Sequence, residues 1–288
     1  MTESGAGLGG PPSTDARRRG LTRSQSTFVV RSAQYLALIA VIVVIALIGD
    51  WSRFNTQFLN LDTVGKTFPR MLKVGLVNTL LFTLAAFVVA LVVGLVVALM
   101  KISSFWLYRA LANIYIEIFR GLPALVVLFL VNFGLPVVFP DSEFVRNFYV
   151  KVGLGLGLTA AAYVAETIRG GIQAVPRGQT EAARSLGMSQ GRAMATIVLP
   201  QAFRIIIPPM TNQLIYLVKD SSLVYALGVT AQQYELTKLG QLFATGGVTG
   251  INAGSTPLIL SGVFYLVITL PLSQVVAALE RRQAKRRF

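Results

Sequence analysis

Long apolar runs separated by short polar stretches organise this chain of 288 residues. Several runs hold no charged residue over roughly the 20 positions that a helix needs to cross a bilayer. The pattern therefore predicts an all-α polytopic membrane protein with six transmembrane helices. The predicted spans are 32–49, 74–100, 121–140, 152–164, 203–229 and 257–279.

Two of these runs have features of their own. The first could be the core of a signal peptide, but it is longer than most such cores and no clear cleavage site follows it. We therefore expect an uncleaved span. The fifth run is less regular, because the polar sequence Lys-Asp-Ser-Ser at 219–222 interrupts it. Charged residues inside a span are costly in lipid and commonly mark function.

Basic residues are distributed unevenly between the two sets of polar segments. With the N-terminus in the cytoplasm, the predicted cytoplasmic segments hold 18 Lys and Arg residues and the external ones hold 7. This asymmetry follows the positive-inside rule and predicts that both termini are cytoplasmic. It also explains the net charge of +14 without a nucleic-acid partner. The cytoplasmic segments are a disordered basic tail at 1–31, then 101–120, 169–204 and a basic tail at 280–288; the external segments are 50–73, 141–151 and 230–256.

The composition excludes most chemistry within the chain. Cysteine is absent, so neither disulfides nor thiolate metal sites can form, and histidine, the commonest general base and zinc ligand, is absent too. The sequence also has no Gly-x-x-x-x-Gly-Lys-Ser/Thr phosphate loop. We therefore expect no enzymatic activity, no metal and no cofactor in this chain.

The polar segment 169–204 is punctuated like a pair of short helices. Gly187 supplies a left-handed stop after the first helix. Ser189 can cap a second helix, and Pro200 is expected to end it. The segment is thus predicted to form two helices around a glycine hinge.

Residues 181–200 resemble the EAA loop of ABC importer permeases, through the Glu-Ala-Ala at 181–183, Gly187 and the Ile-x-Leu-Pro that ends at Pro200. The resemblance implies that the loop docks into a groove on a separate ATPase. From the residues alone, the alternative is an ordinary helix on the bilayer surface with its arginines at lipid phosphates. The resemblance assigns ATPase coupling to Glu181, Ala182, Ala183, Leu186, Gly187, Met188, Leu199 and Pro200.

The resemblance extends over about residues 74–235 and is nearest to the permeases for polar amino acids. It implies a five-helix type I importer core at 74–279, to which 32–49 is an additional N-terminal helix. One departure is Ala231, where many relatives have an acidic residue. The other similar segments are 75–80, 115–123, 163–172 and 200–223.

The family implies the remainder of the assembly. An ABC ATPase subunit would bind ATP and Mg, and a second permease subunit, identical or different, would complete the pathway. An extracytoplasmic amino-acid-binding protein would deliver the substrate, and lipid of the bacterial plasma (inner) membrane would surround the spans. The implied cargo is a polar amino acid of the glutamate/glutamine or basic class, which includes His, Arg, Lys and opines.

The polar break in the fifth run is the candidate substrate path. Substrates of the resembling subfamily are zwitterionic or charged, so a path needs both signs of charge and hydroxyl donors. The alternatives are a local Lys–Asp pair between helices, or a lysine that reaches the membrane interface. Three other amides, at Asn78, Asn132 and Gln213, are expected to join helices by hydrogen bonds. The path is assigned to Asn212, Lys219, Asp220, Ser221 and Ser222.

Two other classes of function are less well supported. An ion-coupled secondary transporter or channel is expected to have internal repeats and several intramembrane carboxylates, and only Glu166 and Asp220 qualify. An intramembrane enzyme would need Ser–Lys or paired-Asp chemistry. Lys219 and Ser221 are too close in sequence to face each other on a helix.

Overall fold

The computed structural model describes residues 23–247 and 254–284, and these residues form helices without any β-strand. Five helical segments are long and apolar enough to cross a membrane, or six if one bent pair counts as a single span. The all-α polytopic class is confirmed, and the predicted six spans match the higher count. The α-helices are α1 (Arg23–Ile48), α2 (Trp51–Phe58), α3 (Leu61–Arg70), α4 (Val77–Ile102), α5 (Trp106–Gly121), α6 (Ala124–Val138), α7 (Glu143–Arg146), α8 (Phe148–Gln173), α9 (Arg177–Ser185), α10 (Gln190–Ala193), α11 (Leu199–Asp220), α12 (Leu236–Ala244) and α13 (Thr256–Ala284).

The first and last helices are longer than predicted. Because α1 begins at Arg23, the prediction of a disordered tail is wrong for residues 23–31. Residues 1–22 of that tail lie outside the described residues. In the same way α13 includes 280–284 of the predicted C-terminal tail. The chain divides into two compact units, 1–53 and 54–288, and the packing below is within the second.

The third predicted span differs most from expectation. α6 has 15 residues, about 22 Å of helix, which is shorter than a hydrocarbon core of about 30 Å. α5 precedes it at 105°. The bend follows from Pro123, which disfavours the helical region for the residue before it, and Leu122 is accordingly extended at φ −89° and ψ 138°. Part of the predicted cytoplasmic segment 101–120 is therefore one arm of a bent helix pair.

The core lies between α4 and α8, and α8 also packs against α5, α6 and α11. Small residues permit the close approach of these helices. A Cβ on Gly157 would lie 2.6 Å from the Cβ of Val89, and one on Gly94 would lie 2.5 Å from a methyl carbon of Val164. Large buried side chains fill the rest of this core, among them Phe82, Leu128, Leu156 and Leu217.

Two predicted external segments are helical in part. A continuous helical stretch begins at Leu61, passes through a π-helical segment at Met71–Leu76, and continues as α4. The segment 230–256 contains α12, which packs against α13 and against the π-helical segment. Both segments thus have buried side chains that pack within the fold.

Candidate functional site

The segment 169–204 has the predicted helix–hinge–helix form. α9 ends in a Schellman motif, in which the Gly187 N–H donates to the Arg184 carbonyl and the Met188 N–H donates to the Ala183 carbonyl. Gly187 is left-handed, at φ +83°. The Ser189 side chain then accepts a hydrogen bond from the Arg192 N–H and caps α10.

Pro200 does not end the second helix, so that part of the expectation is wrong. α10 continues through a π-helical segment, Met194–Val198, directly into α11, and Pro200 lies in the first turn of α11. The wider π turn accommodates a residue that has no N–H to donate. The Leu199 N–H donates to the Met194 carbonyl. Loop and span therefore form one mechanical element.

The coupling residues assigned from the resemblance divide into an exposed and a buried set. Leu186 at the tip is 86% exposed, which is unusual for a leucine beside a packed helix end. Ala183 faces inward and is buried, whereas Met188 and Leu199 are half-buried. The exposed members are Glu181, Ala182, Leu186, Gly187 and Pro200.

Two contacts fix the base of the loop to the spans. Val175 before α9 packs with Val198, Ala202 and Ile206 in one apolar cluster. The approach of α8 to α11 is close, because a Cβ on Gly171 would lie 2.2 Å from a side-chain carbon of Ile206. A shift of the loop must therefore move α8 and α11.

A charged cluster joins the end of α4 to the end of α8. Glu166 pairs with Lys101 through one carboxylate oxygen and with Arg169 through the other, the second pair at 2.7 Å. Arg169 also donates to the Gln173 side chain at 2.5 Å. Glu166 thus binds Arg169 within α8 and Lys101 on α4, and so joins the two helices.

The polar break lies at the other end of α11. The α-helix stops at Asp220 and continues as a 3₁₀ turn, Ser221–Ala226. Lys219 is exposed, with its Nζ 5.9 Å from the centre of the Tyr216 ring. No ion pair joins Lys219 to Asp220, both of which are described residues. Ser221 is buried and donates to the Val218 carbonyl at 2.7 Å.

The structure separates the two sets of predicted site residues. Leu199 and Asp220 are 21 positions apart on α11, which corresponds to about 31 Å. Asn212 and Ser222, the other members of the predicted path, are half-buried. The coupling residues and the break are thus opposite ends of one helix.

A buried carboxylate that was not predicted from the sequence lies beyond the break, at Glu235. Glu235 is fully buried and caps α12 by accepting from the N–H groups of Thr237 and Lys238, each at 2.6 Å. The Tyr265 hydroxyl on α13 donates to the same carboxylate at 3.0 Å. Burial raises the pKa of the Glu235 carboxyl to about 7, although these hydrogen bonds act in the opposite direction.

Asn78 of α4 holds the loop before α12. Its amide donates to the carbonyls of Gln232 and Tyr234 at 2.7 and 3.0 Å, and its oxygen accepts from the Tyr149 hydroxyl at 2.8 Å. The amide is thus a structural joint, as expected. We call Asn78, Tyr149, Glu235, Thr237 and Tyr265 the Glu235 cluster.

A signal for this cluster was present in the sequence. Leu236, Leu239 and Phe243 follow a helical period and are buried in the structure. Glu235, directly before this periodic segment, lies four positions after Ala231. Asn132 is a different case: it is buried, and its Oδ1 has no hydrogen-bond partner among the described residues. Among the residues at 23–247 and 254–284, no group of His, Cys, Asp and Glu could hold a metal ion.

Comparison with known proteins places these features in a family. The profile described as "Binding-protein-dependent transport system inner membrane component" matches residues 63–285. The arginine transport system permease protein ArtQ of Bacillus subtilis is 36% identical over 228 residues, 78% of this chain and 98% of that protein.

Two further proteins resemble the chain over a similar extent. The probable glutamine ABC transporter permease protein GlnM of Bacillus subtilis is 37% identical and covers 73% of this chain and 92% of its own length. A solved structure described as an amino acid ABC transporter with histidines superposes with a TM-score of 0.65 at 35% identity. It covers 76% of this chain and 96% of the solved chain.

Proposed function

We propose that this chain, which belongs to the family of binding-protein-dependent transport system inner membrane components, is the permease subunit of an ABC importer for a polar amino acid. Energy would come from ATP and Mg bound by a separate ATPase subunit. Relatives named as arginine and glutamine permeases support an amino acid as cargo and leave both the basic and the glutamate/glutamine classes as candidates.

One observation carries the coupling role: an exposed apolar side chain on a rigid, basic loop that is packed against two spans. Leu186 is 86% exposed at the tip of α9, and the Schellman motif holds that tip in one conformation. An exposed leucine of this kind, which we call the knob, suits a groove on a partner. Its burial there would contribute about 1.5–3 kcal/mol to the free energy of binding. Motion of a docked ATPase would then pass through the loop to α8 and α11.

The orientation and the other partners are part of the same proposal. The positive-inside distribution supports cytoplasmic N- and C-termini in the bacterial inner membrane, with 169–204 on the ATPase side. A second permease subunit, identical or different, would line the pathway with this one. An extracytoplasmic binding protein would deliver the amino acid to the opposite face.

The substrate path is assigned to the far end of α11. The exposed ammonium group of Lys219 and the hydroxyl of Ser222 would face the cargo, with Asn212 one to two turns away on the same helix. The exposure of Lys219 and the absence of a direct ion pair with the half-buried Asp220 support this assignment, because the ammonium group remains available to a charged or zwitterionic substrate.

Uptake into proteoliposomes tests the proposal. The purified chain is reconstituted with and without a cognate ATPase and binding protein, and uptake of labelled amino acids is followed with and without ATP. We expect uptake only with the complete assembly and ATP. Uptake by the chain alone, driven by an ion gradient, would instead establish a secondary transporter.

A second experiment examines the path. Replacing Lys219 and Asp220 together by alanine should lower uptake at least tenfold while the ATPase remains bound to the permease. The double variant of the exposed residues Asp141 and Arg146 serves as the matched control, since these also carry one charge of each sign. Unchanged uptake and coupling in the Lys219–Asp220 variant would remove these residues from the path.

A further inference from the structure

The beginning of α12 is closed around a carboxylate that has no part in the proposed coupling. Glu235 is fully buried, and its two oxygens accept hydrogen bonds from the N–H groups of Lys238 and Thr237. The Tyr265 hydroxyl approaches one of these oxygens at 3.0 Å and lies 3.2 Å from the Thr237 hydroxyl. A carboxylate is thus fastened to α12 and α13 at once.

The same arrangement reaches the polar break. The 3₁₀ turn Ser221–Ala226 packs against α12 and α4. The Ser221 side chain, which is fully buried, lies beside the Tyr265 hydroxyl. On the other side, Thr79 of α4 accepts a hydrogen bond from the Leu236 N–H at 3.3 Å. The turn that ends the predicted path is therefore enclosed by elements that meet at Glu235.

We propose that Glu235, held by Tyr265, is a positioning residue that fixes the 3₁₀ turn Ser221–Ala226 against α12 and α13. While the three hydrogen bonds to its carboxyl group are in place, this end of the path is closed. Their release lets α12 separate from α13 and exposes the turn. The effect on transport rests on the proposed function, but the closure itself is a property of this chain.

The charge state of Glu235 makes the closure sensitive to pH. The elements packed around it include these titratable or charged groups: Tyr265 on α13, Lys238 on α12, which contributes its N–H, Lys73 on the π-helical segment that packs against α12, and Asp220 before the turn. α4 contributes the uncharged Asn78 and Thr79. Because Glu235 forms no ion pair with any described residue, burial favours its neutral form.

The sign of the dependence follows from this burial. The pKa of Glu235 is raised from 4.5 to about 7, so burying the group is most favourable at pH below 4.5. The contribution of Glu235 to the stability of the closed arrangement is lost as the pH rises towards 7, and it stays absent above pH 7. We therefore expect the closed arrangement to weaken between about pH 5 and pH 7.

The absence of cysteine from the chain allows a direct measurement of closure. Ser261 on α13 is buried, and its Oγ donates to the Leu236 carbonyl, so S261C reports on contact between α12 and α13. Q241C on the exposed face of α12 is the reference. Maleimide labelling of each variant is followed from pH 5 to pH 8 in the full-length chain, purified in nanodiscs with the subunits that accompany it.

We expect the rate for S261C, divided by the rate for Q241C, to rise on the order of tenfold between pH 5 and pH 7 and then to level off. In the E235Q background the ratio should be independent of pH. A flat ratio in the chain with native Glu235, or an equal rise in E235Q, overturns the proposal. If Glu235 had a merely structural role, E235Q would change the labelling ratio by the same factor at every pH.

A second variant keeps the test decisive if E235Q fails to fold. Y265F retains the carboxylate and removes one of its three hydrogen bonds. The proposal expects higher labelling of S261C already at pH 5, with the rise towards pH 7 retained. Labelling at pH 5 equal to that of the native chain contradicts it. The assay uses neither substrate nor ATP, so its outcome is independent of whether uptake requires an ATPase.

Discussion

The 169–204 loop and the Glu235 cluster are both polar, and they are built in opposite ways. The loop exposes Glu181 and Leu186, and the carboxylate of Glu181 forms no ion pair with any described residue. The cluster buries Glu235 completely and satisfies it with hydrogen bonds from Thr237, Lys238 and Tyr265. The exposed side chains of the loop are available to a partner chain, whereas the polar groups of the cluster bind one another within this chain.

This difference separates two ways in which α11 can be controlled. At Leu199 the helix is continuous with an exposed loop, so a partner can push it from outside. At Asp220 it ends in a turn that is held by internal hydrogen bonds, so the chain itself restrains it. Substitutions in the cluster should therefore change the stability of the chain. Substitutions of exposed side chains in the loop should change its association with the ATPase.

The largest effect on stability is expected from Asn78→Leu in the cluster. The change removes the bonds to the carbonyls of Gln232 and Tyr234 and leaves the Tyr149 hydroxyl without its acceptor. Lost bonds and unsatisfied buried groups together should destabilise the chain by about 2–4 kcal/mol. Unfolding by SDS in mixed micelles measures this change.

Asn212→Leu is the matched control. Asn212 is half-buried and its side chain has no hydrogen bond to the described residues, so stability should change by less than about 0.5 kcal/mol. Uptake should nevertheless fall, because Asn212 is assigned to the path. Equal destabilisation by the two substitutions would contradict the contrast between a joint and a path residue.

The loop could be predicted from sequence because its determinants are local. Gly187 and Ser189 act on residues within five positions of themselves, and the rules for helix ends apply to such short spacings. Pro200 was misjudged, because the π turn that accommodates it depends on how α9 packs against the segment Met194–Val198. Local rules do not contain that contact.

The Glu235 cluster could not be predicted from the sequence in the same way. Apart from the local cap of α12 by Glu235, its bonds join residues 28 to 157 positions apart, from Thr237 to Tyr265 and from Leu236 to Thr79. Nothing in the sequence near Glu235 states which helix will supply the hydroxyl. The helical period of α12 is visible in the sequence, and it would have predicted a helix within the external segment 230–256. Even so, the identity of its partners is a property of the folded chain.

The next largest effect is on association, from Leu186→Asp in the loop. Since Leu186 is 86% exposed, the permease should keep its stability within about 0.5 kcal/mol. Loss of a buried leucine from the interface with the ATPase, worth about 1.5–3 kcal/mol, should weaken docking roughly 10- to 100-fold. Titration of the ATPase against the permease in nanodiscs measures the affinity.

Gln190→Asp is the matched control for Leu186→Asp, because it adds the same negative charge to the same loop. Gln190 is exposed in the first turn of α10, where an acidic residue suits the helix dipole. Docking should change less than threefold. If both variants weakened docking equally, general charge repulsion would explain the effect, and Leu186 would lose its role as the knob.

The smallest effect compares two glycines of the 169–204 loop, one at its hinge and one near its start. Gly187 is left-handed at φ +83° with no neighbouring atom within 4 Å, so Gly187→Ala should cost about 1–2 kcal/mol through backbone strain alone. Gly170 lies inside α8 and is equally free of neighbours, so Gly170→Ala should stabilise by about 0.5–1 kcal/mol. Both free energies come from the same SDS unfolding curves. Opposite signs would show that the hinge is set by the backbone conformation at Gly187. Two changes of the same sign would mean that the loop adapts its turn, and a loop that adapts could not carry a rigid push from an ATPase to α11.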